Sequence, residues 1–235
     1  IRNYIELGNY IDDIEPDMVI HAAAIADANF CQQNKEVSYA VNVEAAVNLA
    51  GIAADYNIPF AFISTDLVFD GNRGMYTEED AKNPLSLYGE QKAEAEEEIR
   101  SIYPSATIFR LPLMLGEPSA GKANYLNSFL QQINSSKAAT LFYDEYRSAG
   151  DARSIAAGML DLLGRGNDLP PVLHIAGPDR LSRYDIGIKI ARAYGIDEKL
   201  LQSVSQKDLP MAAPRPADVS LDISKALALG YKPMG

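Results

Sequence analysis

Tyr88 and Lys92 stand four residues apart in the run Tyr88-Gly89-Glu90-Gln91-Lys92. On a helix that spacing puts two side chains on one face, within reach of one ligand. An ammonium beside a phenol favours the phenolate, and a tyrosine tuned in this way can serve as general acid or base. The same spacing also fits a half-buried tyrosine beside a solvated lysine, and the pair alone does not choose. A second group is Ile63-Ser64-Thr65-Asp66. A hydroxyl at the end of a strand can hydrogen-bond a carbonyl or alkoxide and orient it, or it can simply cap the turn that follows. A third is Ala22-Ala23-Ala24. Three small residues let a flat ligand approach the backbone, or let a helix pack closely on a strand.

The elements that must position these groups alternate. The pattern predicts strands over 17–24, 59–64, 106–113, 139–143 and 171–176, and helices over 36–56, 86–101, 125–136, 154–164 and 183–194. Val37, Val41, Val43, Val47 and Leu49 give the first helix a broad apolar face, and Ser182 and Asp185 have capping-box spacing. Apolar strands alternating with helices imply an α/β fold with a parallel sheet covered on both faces. Ligands of such sheets sit beyond the C-terminal ends of the strands, where all three groups fall.

Taken together and in this order, the groups resemble the extended short-chain dehydrogenase/reductases, and most of all the dTDP-4-dehydrorhamnose reductase family. Ile63-Ser64-Thr65-Asp66-Leu67-Val68-Phe69-Asp70-Gly71 is similar to that family's Ser-Thr-Asp-Tyr-Val-Phe-Asp-Gly motif. Asn83-Pro84-Leu85-Ser86-Leu87-Tyr88-Gly89-Glu90-Gln91-Lys92 resembles its Asn-Pro-Leu-x-x-Tyr-Gly-x-x-Lys motif. Tyr39-Ala40-Val41-Asn42 and Arg215-Pro216 with Leu221-Asp222 match as well. The resemblance implies a Rossmann-like doubly wound sheet, over about 1–112 and 150–180, and a small α/β substrate-binding lobe, over about 113–149 and 181–235. It implies reduction of a 4-keto nucleotide sugar by NADH or NADPH, with a homodimer as the family's common assembly. Thr65 would orient the carbonyl, Tyr88 would donate the proton, and Lys92 would hold the nicotinamide ribose and lower the Tyr88 pKa. Ala23, Ala24, Ile25, Ala26 and Pro112 would line the cofactor, and Asp66 would face the substrate. Asn42 would support backbone behind the site. Arg147 and Arg215 would each be either a diphosphate contact, for which a guanidinium is suited, or half of a surface salt bridge.

Four departures qualify the match. The family opens with a glycine-rich turn that binds pyrophosphate. Ile1 lies beyond it, so the sheet is expected to be N-terminally incomplete by about two βα units. Leu67 and Leu113 stand where the family carries Tyr and often Trp, which puts rhamnose in doubt. Asn29, Phe30 and Gln32 replace Asp, Lys and Glu. Leu67 also argues against the 4,6-dehydratases, which use Thr-Asp-Glu. A different class remains open. The regulatory beta subunit of methionine adenosyltransferase has similar motifs, and Arg110-Leu111-Pro112-Leu113-Met114-Leu115-Gly116-Glu117 resembles one of its stretches. Such a subunit binds dinucleotide and partners another enzyme.

The rest of the sequence excludes more than it assigns. A net charge of −11 over 235 residues disfavours nucleic acid and anionic membranes. No apolar stretch reads as long enough to cross a bilayer, and a single cysteine, Cys31, fits a reducing cytoplasmic setting. His21 and His174 read as packed, hydrogen-bonded strand residues without metal-ligand spacing. Glu94, Glu96, Glu97 and Glu98 read as the solvated face of the catalytic helix. Without the glycine-rich turn, the 235-residue chain by itself should bind dinucleotide poorly. A fluorescence titration with NADPH checks this, and tight binding would overturn it.

Overall fold

A computed structural model describes residues 1–117, 124–136, 138–165, 169–209 and 212–234. Four strands form its main sheet, all parallel: β1 (Val19–His21), β2 (Phe60–Thr65), β3 (Thr107–Leu111) and, after the short intervening strands described below, β8 (Val172–His174), in the order β1-β2-β3-β8. Side chains alternate across it, as a pleated strand requires. Phe60, Phe62 and Ile108 enter one apolar layer, and Ala61, Phe109 and Leu111 enter the other. The first layer is covered by α1 (Tyr4–Ile14), α3 (Lys35–Asp55) and α4 (Leu87–Ile102). The second is covered by α6 (Ala152–Gly164), which contributes Ile155, Met159 and Leu162 at helical spacing. Both faces are thus closed, as the alternation implied. Strand β1 is shorter than the expected 17–24. The chain beyond His21 leaves the sheet and runs to α2 (Ala28–Gln33), capped by Asp27.

Helix α3 is long and apolar enough by composition to cross a bilayer, contrary to the sequence reading, and half of its apolar run is buried inside the fold. Ala46, Leu49, Ala50 and Ala53 spend that face on the sheet. The helix is not regular throughout. Residues Ala40–Glu44 form a π-turn, in which the Ala45 amide reaches back to the Ala40 carbonyl.

A second, smaller layer lies beyond the sheet's C-terminal edge. Helix α5 (Tyr125–Ser136) and helix α7 (Arg183–Tyr194) pack Leu126, Phe129, Ile133, Ile186 and Ile190 over a parallel pair, β5 (Ala139–Phe142) and β10 (Leu201–Val204). The capping box at Ser182 and Asp185 is present. Short pairs join this layer to the sheet: β4 (Met114–Leu115) with β7 (Gly150–Asp151), and β6 (Tyr146–Arg147) antiparallel to β9 (Leu181–Ser182). The substrate lobe expected over 181–235 is shorter in its packing. Val219, Leu221, Ile223, Ala226 and Tyr231, around α8 (Ser224–Ala228), lie against the main sheet instead.

The largest correction concerns Glu96. It is 2% exposed, not solvated like its neighbours. Its carboxylate takes Arg110 Nε at 3.0 Å and Nη2 at 2.8 Å, Ser64 Oγ at 2.5 Å, and lies 3.4 Å from Lys82 Nζ. Burial pushes its pKa up, but Arg110, Lys82 and Ser64 together outweigh this and hold the carboxyl below its ordinary value. Breaking a buried pair strands the surviving charge. Glu96→Ala should therefore cost about 3–5 kcal/mol of stability in urea denaturation. The paired replacement Glu96→Leu with Arg110→Met should recover most of that loss.

Candidate active site

Thr65 closes β2, and its hydroxyl is held twice. Oγ1 accepts from the Leu67 amide at 3.2 Å, starting a short 3-10 turn, and donates to Asp66 Oδ1 at 3.2 Å. Tyr88 sits in the first turn of α4, where Ser86 caps by accepting from the Gly89 amide at 3.2 Å. Gly89 allows the close approach. A Cβ there would come within 2.2 Å of the Leu67 carbonyl oxygen, so the glycine lets the helix start lie directly on the turn that follows Thr65. Thr65 and Tyr88 are brought together in this way, both under one tenth exposed.

They share a cavity of about 600 Å³ with Ala22, Ala24, Ala26, Asp66, Pro112, Arg147 and Arg215. Leu67 and Leu113 contribute aliphatic wall where the resemblance would supply aromatic rings. The small residues after β1 leave room beside the backbone on one side, with Pro112 past the end of β3 on the other. These fit a flat nicotinamide. Ala23 and Ile25 are not part of the wall. Ile25 is instead clamped through its backbone by Asn42, whose Oδ1 accepts from the Ile25 amide at 2.8 Å and whose Nδ2 donates to its carbonyl at 3.1 Å. Asn42 thus supports the loop from behind, as expected.

Lys92 departs from expectation. Its ammonium lies 3.7 Å from the Phe62 ring centroid, off the cavity wall, and burial lowers its pKa to about 7. Tyr88 is not tuned downward by it. Burial first, and then the Asp66 carboxylate, push the phenol up, opposed by its hydrogen bond with Thr65 and by the Arg147 charge. In a buried site without a bound partner, desolvation outweighs a neighbouring cation that points elsewhere.

Arg147 is no surface residue. It is 4% exposed, with Nη1 on Asp66 Oδ1 at 2.8 Å and Nη2 on Glu145 Oε1 at 3.3 Å. Two further arginines gather on the fully buried Glu145: Arg183 Nε at 2.8 Å and Arg215 Nη1 at 3.9 Å. Burial pushes the Glu145 carboxyl up, and these cations together hold it down. Arg183 Nη1, Arg215 Nε and the Tyr125 hydroxyl are buried without a hydrogen-bond partner among the described residues, and all three residues line the cavity. The sequence reading missed Arg183, Tyr125 and the role of Glu145. One signal was available, since an arginine in the first turn of a helix opposes the helix dipole, and Arg183 opens α7.

The remaining polar residues are structural. His174 Nδ1 lies 3.1 Å from the Tyr76 carbonyl oxygen and 3.2 Å from that of Asp222. His21 stacks on Phe62, but its Nε2 is buried without a partner among the described residues, so only the packing half of its expected role is met. Cys31 is buried, donates to the Ile25 carbonyl at 3.3 Å, and has a thiol pKa raised by burial. No group of His, Cys, Asp and Glu among the described residues could hold a metal ion.

The doubly covered parallel sheet, with Thr65 and Tyr88 at its C-terminal edge, defines an NAD(P)-dependent oxidoreductase of the short-chain dehydrogenase/reductase type. The family model "RmlD substrate binding domain" matches residues 1–234, and the chain belongs to that family. It is 36% identical over 219 residues to the probable low-salt glycan biosynthesis reductase Agl14 of Haloferax volcanii, covering 91% of this chain and 72% of that protein. It is 28% identical over 224 residues to methionine adenosyltransferase 2 subunit beta of Xenopus laevis, covering 94% and 67%. Among solved structures, the dTDP-4-dehydrorhamnose reductase of Clostridium acetobutylicum superposes with a TM-score of 0.88 at 25% identity, over 97% of this chain and 79% of that one. That of Bacillus anthracis, in complex with NADP, superposes with a TM-score of 0.91 at 20% identity, over 99% and 81%.

Burial lowers the pKa of His21 and of His174 from 6.5 to about 4. Between pH 6.5 and 4 the unfolded chain therefore binds protons that the folded chain excludes, and stability falls as pH drops through that window. Urea midpoints at pH 7.5 and 4.5 should differ accordingly. His21→Phe, which keeps the stack on Phe62 and removes one of the two groups, should lose less on acidification.

Proposed function

We propose that this protein reduces the 4-keto group of a nucleotide-linked 6-deoxy sugar with NADH or NADPH. The observation that carries the reading is one cavity with two unlike kinds of group. Its wall carries the hydroxyls of Thr65 and Tyr88, and also Arg183 and Arg215 with unpartnered N–H groups. A neutral carbonyl and a dianionic linker, joined in one substrate, match that polarity. NADP in the B. anthracis reductase and the reductase name of the Haloferax relative agree with it.

A dinucleotide held there would supply the hydride for the carbonyl carbon. The protein's own part is to position and to move a proton. Thr65, fixed by Leu67 and Asp66, presents its hydroxyl toward the carbonyl oxygen. Tyr88, with a pKa raised by burial, stays protonated until the oxygen becomes an alkoxide and then donates to it. Ala24 and Ala26 leave space for the nicotinamide, and Pro112 bounds it. Lys92 reaches the ribose by turning off the Phe62 ring. Leu67 and Leu113 favour a sugar that presents apolar rather than stacking surface to that wall.

The second reading, a dinucleotide-binding regulatory subunit, is favoured by the 28% identity to methionine adenosyltransferase 2 subunit beta and by the withdrawn position of Lys92. One assay separates the two. The full-length protein should oxidise NADH or NADPH in the presence of one member of a panel of nucleotide-linked 4-keto-6-deoxy sugars. Tyr88→Phe should lower that rate by about 10²–10⁴-fold. Dinucleotide binding with no turnover on any sugar would favour the regulatory subunit.

A further inference from the structure

We propose that Arg147 is a positioning residue that acts on Thr65 and Tyr88 through Asp66, and that the substrate's anion is received by Arg183 and Arg215 instead. The inference rests on the reading of Thr65 and Tyr88 as the reacting pair. It differs from the sequence expectation, in which Arg147 was a diphosphate contact or a surface salt bridge.

The three arginines around Glu145 are not equivalent. Arg147 has both terminal nitrogens committed, Nη1 to Asp66 at 2.8 Å and Nη2 to Glu145 at 3.3 Å. Only its Nε lacks a partner. Arg183 spends Nε on Glu145 and leaves Nη1 unpartnered. Arg215 stands off at 3.9 Å, and its side chain is 31% exposed. A guanidinium recognises an oxyanion through adjacent, free N–H groups. Both terminal nitrogens of Arg147 are taken by carboxylates, whereas Arg183 holds Glu145 through Nε and keeps its terminal Nη1 without a partner among the described residues, and Arg215 stands 3.9 Å from its carboxylate.

What Arg147 does hold is the carboxylate beside the reacting pair. Asp66 is 1% exposed, and its Oδ1 receives Arg147 Nη1 and the Thr65 hydroxyl together. A buried carboxylate without a cation either takes up a proton or imposes its charge on its neighbours. Tyr88 is the neighbour. The groups that face it are Asp66 and Thr65 at the end of β2, Cys31 on α2 and Arg147 on β6. Lys92, on its own helix, points at Phe62. Of these, Arg147 is the cation that opposes Asp66. Strand β6 is paired with β9, Arg147 opposite Leu181. Arg147 thus reaches the Thr65 hydroxyl through Asp66 and sets the charge next to Tyr88 from β6.

The test is a double-variant cycle in the full-length protein: Arg147→Met, Asp66→Asn and the two together, with Tyr88→Phe alongside. Arg147→Met should lower kcat by about 10²-fold and leave the sugar-nucleotide KM almost unchanged. Adding Asp66→Asn should restore the rate by about tenfold or more. Less rescue than that, or a raised KM with kcat intact, would overturn the inference and make Arg147 an anion contact. If Arg147→Met does not fold, the double variant decides alone, because it leaves Asp66 no charge to strand. Activity within about tenfold of the parent supports the proposal, and a greater loss refutes it. Survival of activity in Tyr88→Phe would instead remove the catalytic reading itself, whatever the cycle gives.

Discussion

The geometry of the site depends on one buried carboxylate. Glu96 stands one helical turn beyond Lys92 on α4, and its oxygens bind Ser64 on β2 and Arg110 on β3. Ser64 precedes Thr65, so this one side chain fixes the strand that carries the hydroxyl to the helix that carries the phenol. Hydrogen bonds to a charged group are the stronger and more directional kind. The charge also lies close enough to Lys92 to support its ammonium form against burial.

A second buried charge system repeats the device on the other side of the cavity. Asp66, Arg147, Glu145 and Arg183 form a chain of ion pairs from the end of β2 into the smaller layer. Ion pairs of this kind contribute little net stability once desolvation is counted, but they fix geometry because every alternative arrangement strands a charge. Both systems converge on the same two residues. Thr65 is reached from behind through Ser64 and from the front through Asp66.

The sheet, its helices and the positions of Thr65, Tyr88 and Asn42 were legible because each rests on short-range pattern. Alternating apolar runs specify strands, a Tyr four residues before a Lys specifies a helix face, and the motif resemblance orders them. Glu96 was not legible, because four glutamates among five residues of one helix look alike in sequence. Only the arrival of Arg110 from β3 distinguishes the one that turns inward. Arg147 failed for the same reason, since its partner Asp66 lies far away in the chain. The position of Lys92 was misread because proximity along a helix says nothing about which way a flexible four-carbon stem turns when burial and an aromatic face compete with a phenol. Helix α3 was read at nearly its full length, and it passes as long and apolar enough to cross a bilayer only by length and composition, because half of its apolar run is a core face.

That π-turn also bears on the site. A turn of this kind holds one more residue than the α-helical turn it replaces, while the helix on either side keeps its phase. Leu49, Ala50 and Ala53 therefore meet the sheet as they would if the extra residue were absent. Its gain is local: the bulge aims the Asn42 amide at both backbone groups of Ile25. A deletion of one residue within 40–44 would leave a regular helix in the same place and take the Asn42 clamp from the loop beside the cavity, so the packing of this helix and the shape of the site are separable.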